Sequence, residues 1–303
     1  MDLSALRTFV DVARLGSFAA AARSRNADPS AVSRTIASLE TELGVRLLHR
    51  TTRRMSLTEA GETYLSRIEG AVDELADAGD AARAASDGPS GTLRLTASVA
   101  FGHARLVPLL ERFRQSFPAM RLELVLSDAN LNLIAERIDL AVRLGPEIES
   151  GVRHERLMST HYRVCASAEY VERHGPPTEP AALAQIEVLR LTLPGYRDRW
   201  SFRDRAGGLA EVPVHGSLLI SNAMALRDAM LAGLGPALLP DWLVDEALAQ
   251  RRCVDLFPGH AVTATTFETA AWLVYPSRRF LPTRVRAVMA FLREQLAAGG
   301  SAP

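Results

Sequence analysis

The segment DPSAVSRTIASLETEL, Asp28 to Leu43, constrains the chain more than any other. Asp28 suits a helix N-cap because its carboxylate accepts a hydrogen bond from a first-turn amide, and Pro29 suits the first helical position, where no amide donor is needed. Val32, Ile36, Leu39 and Leu43 recur at four- and three-residue intervals and form one apolar stripe, so that face is core. Ser30, Ser33, Arg34 and Ala37 take the opposite side, short where a solvated helix face usually carries long Glu and Lys. Such a face lets the backbone approach a partner closely. The major groove of DNA admits a helix and offers partners to Ser and a guanine edge to Arg.

The neighbouring sequence supports that reading. Leu3, Leu6, Val10 and Ala13 predict an amphipathic helix that Gly16 breaks, and Ser17 caps a second one, FAAAARS. Helix, helix, turn, helix is the layout in which the last element reads bases. Downstream, RTTRRMSLTEAG places Arg50, Arg53 and Arg54 in a basic hairpin or loop suited to phosphate or minor-groove contact. Met1 to Thr58 holds nine Arg against five Asp plus Glu, on a chain whose formal net charge is zero. The basic excess is local, as a DNA-binding module in a neutral protein requires.

GSFAAAARSRNADPSAVSRTIASLETELGVRLLHRTTRRMSLTEAGETYL closely resembles the N-terminal winged helix-turn-helix of LysR-type transcriptional regulators, and the likeness continues through the whole chain. The resemblance implies that the recognition helix and wing contact DNA, with Ser30, Ser33 and Arg34 in the groove and Arg53 or Arg54 in the wing. One departure is visible. Arg25 and Ala27 stand where the family usually has a Leu and a Val or Leu, so the turn is expected to pack less apolar surface.

At 303 residues the chain exceeds what one hydrophobic core usually serves, and 48% hydrophobic with 23% charged residues is ordinary for a globular protein. No apolar run reaches the roughly 18 residues that span a bilayer, and the sequence starts directly with a helix, so a cytoplasmic protein without membrane attachment is expected. Two cysteines, Cys165 and Cys253, lie far apart in sequence, which argues against a disulfide scaffold or a CxxC metal site.

From Thr58, Gly61, Leu65, Ile68, Val72, Leu75, Gly79 and Ala82 repeat with a period near 3.5 and predict a long helix to about Ser86 whose seam seeks a partner helix. The resemblance implies dimerisation through it. Two recognition helices would then face an interrupted palindrome. Asp87-Gly88-Pro89-Ser90-Gly91 reads as a joint. Beyond it, TLRLTAS, ARLVPLLERFRQSFP, RLELVLS, NLNLIAERI and DLAVRLG alternate strand with helix and predict a parallel sheet with a ligand crevice at the strand ends. The region from about Val152 repeats that grammar with YRVCAS and VPVHGSLLI; TAAWLVYP and a helix from Pro282 to about Ala298 close the chain.

The expected fold class is therefore multidomain. It has an N-terminal all-α winged helix-turn-helix (1–58), a linker and dimerisation helix (59–87) and an α/β effector domain (88–303). The resemblance makes that domain periplasmic-binding-protein-like, with lobe I at about 92–160 plus 268–303 and lobe II at about 161–267.

Strand ends and helix starts nominate ligand contacts. Ser98 and Phe101 follow the first strand, Asn130 opens the next helix, Arg143 and Gly145 end a strand, and Ser221 and Asn222 begin a helix in the second lobe. These caps and Arg143 suggest a carboxylate-bearing effector. Enzyme motifs do not emerge: GLGPAL at Gly233 follows a helix and lacks a third glycine, and His154 and His161 have no ligand-spaced companions. No catalysis, metal or cofactor is expected. The reading is an effector-responsive transcriptional regulator binding double-stranded DNA as a dimer or tetramer, with RNA polymerase as a further partner. Two alternatives stay open here. One is a redox-sensing regulator using Cys165 or Cys253, although the apolar strand YRVCAS should raise a thiol pKa. The other is a ligand-binding module with impaired DNA reading, suggested by Arg25 and Ala27.

Overall fold

This computed structural model describes residues 2–50, 55–145, 152–193, 195–196, 198–276 and 281–297. The chain divides between Asp87 and Gly88 into two units. The first begins with α1 (Leu3–Leu15), whose N-cap Asp2 accepts from the Ser4 amide, and α2 (Phe18–Ser24), capped by Ser17. Then α3 (Pro29–Leu43) starts from Asp28, which accepts from the Ser30 amide at 2.7 Å, and stops at Gly44, where φ is +69°. The apolar stripe is buried as expected. Phe9, Val12, Ala21, Ala22, Ile36 and Leu39 form one core, and each buried side chain of Leu or Phe size contributes about 1.5–3 kcal/mol. Arg25, the departure in the turn, is tied to α1 by a 2.8 Å ion pair with Asp11.

A short antiparallel hairpin follows, β1 (Leu48–Arg50) and β2 (Met55–Leu57), in register Leu48 to Leu57. Glu40 fastens it to the end of α3 by accepting from the Leu47 and Leu48 amides at 2.8 and 3.1 Å. Thr58 caps α4 (Glu59–Asp87), accepting from Gly61 at 2.9 Å and donating to the Arg46 carbonyl at 2.7 Å. The long seam divides into two parts. Leu65 and Ile68 pack on the unit's own core and Val72 is buried, whereas Leu75 is 54% exposed.

The second unit opens with β3 (Gly91–Ala97) and a continuous helical run: α5 (Val99–Phe101), a π turn over Gly102–Leu106, a 3-10 turn over Val107–Leu109 and α6 (Leu110–Ser116). Next come β4 (Met120–Leu126), β5 (Leu140–Gly145), β6 (Val152–Thr160) and β7 (Tyr162–Ser167). After them lie α7 (Ala168–His174), β8 (Arg190–Leu191), β9 (Arg199–Arg203), β10 (Leu209–Pro213) and β11 (Leu219–Ile220). The chain continues through α8 (Ala223–Leu231), β12 (Ala237–Pro240), α9 (Asp241–Ala249), β13 (Cys253–Asp255) and β14 (Ala261–Thr263), and ends with β15 (Thr269–Pro276) and α10 (Thr283–Ala297).

These strands make two lobes. The first lobe's sheet has the order β4-β3-β5-β15-β6, parallel from β4 to β5 and antiparallel beyond. The second lobe's main sheet, β10-β9-β14-β7-β12 with β13 against β7, is antiparallel throughout, so the expectation of a parallel sheet fails there. The reason is the connections. β9 and β10 are joined by a tight turn in which Asp204 accepts from the Ala206 and Gly208 amides, each at 2.8 Å, and so short a link can only reverse the chain. VPVHGSLLI is not one strand either; pairing breaks after Pro213 and resumes at Leu219. The chain passes between lobes at Thr160–Tyr162 and again at Thr263–Thr269. There the buried Thr160 hydroxyl donates to the Thr269 hydroxyl at 3.0 Å, and Thr269 donates to the Thr160 carbonyl at 2.8 Å.

Another expected element is absent. NLNLIAERI is a single turn, not a helix, and Asn130 does not open it. Asn132 caps that turn, accepting from the Ile134 and Ala135 amides at 3.0 Å, and Arg137 at φ +52° ends it.

Candidate functional site

The face nominated for DNA contact is described on α3. Ser30 and Arg34 are exposed and Ser33 is half-buried along one side of α3, opposite the buried Val32, Ile36 and Leu39. The Asp28 carboxyl is held below its ordinary range, chiefly by hydrogen bonds from the Ser30 side chain and amide, with a smaller pull from Arg34. An ionised Asp28 therefore caps the helix and restrains Ser30 at neutral pH. Arg50 closes the hairpin pair with Met55; Arg53 and Arg54 lie outside the described residues.

A cleft of about 880 Å³ lies between the two lobes of the second unit. Ser98, Asn130, Arg143, Gly145 and Ser221 line it. The Ser98 oxygen accepts from the Phe101 amide at 3.3 Å, and Arg143 reaches from β5 to donate to the Leu131 carbonyl at 2.6 Å. The structure brings these residues from four separate segments to one concave surface. Pockets of this size with a few converging polar groups suit small molecules.

Two nominated residues sit elsewhere. Phe101 is fully buried rather than in the lining, its ring edge-on to Trp242 of the other lobe at 5.3 Å between centroids. Asn222 caps α8 by accepting from the Ala225 amide and donates to Asp128 at 2.6 Å, so its oxygen and one of its amide protons already serve the fold. Asp128, Tyr162, Tyr196, Trp242 and Thr265 line the cleft and escaped the sequence reading. Asp128 had a readable signal: it follows the carboxyl end of RLELVLS, where ligand crevices form.

The histidines take structural positions, His154 edge-on to Trp272 and His161 3.3 Å from Asp241. Among the described residues no group of three or more His, Cys, Asp or Glu could hold a metal ion. Cys165 and Cys253, distant in sequence, hydrogen-bond one another across β7 and β13, and both are buried. That contact, with burial, pushes the Cys165 thiol far above its ordinary range. Among the described residues no helix is long and apolar enough to cross a membrane.

Family models match most of the chain: "Bacterial regulatory helix-turn-helix protein, lysR family" over residues 3–62 and "LysR substrate binding domain" over residues 86–297. The transcriptional regulator CrgA of Neisseria meningitidis is 36% identical over 291 residues, spanning 96% of each chain. PtxR of Pseudomonas aeruginosa, also a transcriptional regulator, is 34% identical across 98% of this chain and 93% of its own. The solved structure of Neisseria meningitidis CrgA superposes with a TM-score of 0.62, covering 98% of this chain and 99% of that one.

Proposed function

The chain belongs to the LysR family of DNA-binding transcriptional regulators, each with an effector-binding domain, and on that premise we propose how its residues divide the work. Ser30, Ser33 and Arg34 read base edges in the major groove. Arg50, Arg53 and Arg54 hold phosphates and fix register. The protein works in the cytoplasm as a dimer or tetramer, the apolar seam of α4 beyond Val72 pairing with a second copy; the exposed Leu75 supports this.

The effector is a small molecule with a carboxylate, received near Ser98 and Arg143. The observation that carries this reading is the cleft itself, which gathers those side chains between two lobes joined by two crossings. A ligand that prefers one arrangement of the lobes can shift DNA affinity by as much as its differential affinity for the two arrangements, and no further. Calorimetry of the full chain with a panel of aromatic and aliphatic acids tests the site. Acids that bind the wild type should bind the Ser98→Ala/Arg143→Ala protein at least tenfold more weakly; equal affinity for both proteins removes the carboxylate site.

A further inference from the structure

The second-lobe wall of the cleft carries a chain of three hydroxyls. Tyr162 starts β7, Tyr196 lies after β8 and Thr265 after β14, and all three line the cavity. The phenol oxygens are 2.8 Å apart, with ring centroids at 5.8 Å, and the Thr265 side chain hydrogen-bonds Tyr196. Three hydroxyls supply three protons, and the two links between them consume two, whichever way the chain is oriented. One proton remains for an acceptor from outside. Burial keeps both phenols protonated, so that donor persists across the physiological range.

Trp242 also lines this wall, but its indole Nε1 is enclosed rather than open to the cleft. Apart from Ser221, the remaining side chains of this wall are apolar, Leu191, Leu239 and Pro240 among them. Among the described lining residues Arg143 is the one Arg, and it belongs to the first lobe. An anion set against the second-lobe wall would lose hydration with no opposite charge beside it; a neutral oxygen would lose far less.

Resting on the reading of the cleft as the effector site, we propose that this wall is a subsite for a neutral carbonyl oxygen on an apolar body, held by the Tyr162–Tyr196–Thr265 hydroxyls. The spare proton belongs to the three hydroxyls together, and so does the specificity. A ligand that also carries the carboxylate assigned to Ser98 and Arg143 spans the cleft from lobe to lobe.

The test uses full-length protein and three probes: acetophenone, the similarly shaped ethylbenzene that lacks the oxygen, and benzoate, each titrated by ligand-observed NMR. Wild type should bind acetophenone about three- to tenfold more tightly than ethylbenzene, the worth of one net hydrogen bond. Tyr162→Phe/Tyr196→Phe/Thr265→Val, which removes every proton of the chain, should bring that ratio close to one and leave ethylbenzene unchanged; if that protein does not fold, a downfield shift of the acetophenone carbonyl carbon resonance on binding wild type carries the same expectation, and its absence overturns the subsite. Equal binding of the two neutral probes, no binding by either, or a ratio that survives the substitutions overturns the subsite. Benzoate separates the two readings. If Ser98→Ala/Arg143→Ala weakens benzoate while the loss of all three hydroxyls leaves the neutral ratio intact, the subsite falls and the effector cleft stands; if neither set of substitutions matters, both fall.

Discussion

Asp128 of the first lobe accepts a 2.6 Å hydrogen bond from the Nδ2 of Asn222, the residue that caps α8 in the second lobe. The other Asp128 oxygen accepts from the Val99 amide at 3.0 Å, so one carboxylate fastens the start of α5 to the opposite lobe. With Phe101 against Trp242, it holds the cleft in the arrangement the structure shows.

Asp128→Ala should release that tie. Because Asp128 is exposed, the loss of stability is about 1 kcal/mol, discounted from the value of a charged hydrogen bond for solvent screening. Amide hydrogen exchange should rise at Val99 and in the first turn of α8 while β15 stays protected. Exchange that is unchanged at both places contradicts the tie.

Arg34→Ala should weaken binding to the operator by about 1–3 kcal/mol and relax base preference at one position, because a guanidinium on a guanine edge discriminates among bases. Arg53→Ala should weaken binding to all sequences alike and flatten the salt slope. Anisotropy titrations on operator and random DNA distinguish the two; equal losses for Arg34→Ala on both DNAs rule out base reading by that residue.

Gly61→Ala should destabilise the DNA-binding unit by about 1–3 kcal/mol through overpacking. An added Cβ would stand 2.0 Å from the Leu47 carbonyl oxygen, where the hairpin strand closes on α4. Calorimetric unfolding should show the transition of the first unit lowered and that of the second unmoved. An unshifted first transition would show that the close approach is relaxed in solution.

The Tyr162–Tyr196 pair predicts a pH dependence. Unfolded phenols ionise near pH 10. Burial pushes Tyr162 well above that and Tyr196 above it too, so beyond pH 10 the unfolded state releases protons the folded state keeps. Stability from this source is complete below the unfolded pKa and is lost as pH rises towards the folded one. Between pH 9 and pH 11, urea denaturation should show a steeper loss for wild type than for Tyr162→Phe/Tyr196→Phe; parallel losses would refute the assignment.

The sequence disclosed the first unit nearly element by element because its signals are local: Ser17, Asp28 and Thr58 each accept from an amide two or three residues on. Arg25 was legible as a departure, but its partner Asp11 was not, since an ion pair between helices has no spacing rule. In the second unit, alternation revealed strands but not their direction, and the parallel sheet expected of the second lobe is antiparallel. Asn130 and Asn132 are equal candidates in sequence, and only backbone geometry selects Asn132 as the cap. Ser98, Arg143 and Ser221 could be nominated from strand ends and helix starts. Tyr162, Tyr196 and Thr265 could not, because residues from three distant segments meet only once the lobe has folded.

The most direct measurement is fluorescence anisotropy of the full-length protein on the DNA flanking its own coding region and on random DNA, across a salt series, with and without a cleft ligand. The account predicts a preference for the flanking DNA of about a thousandfold or more, steep salt dependence, and an affinity that moves when the ligand is added. Equal affinity for both DNAs at every salt concentration, unmoved by ligand, would contradict it.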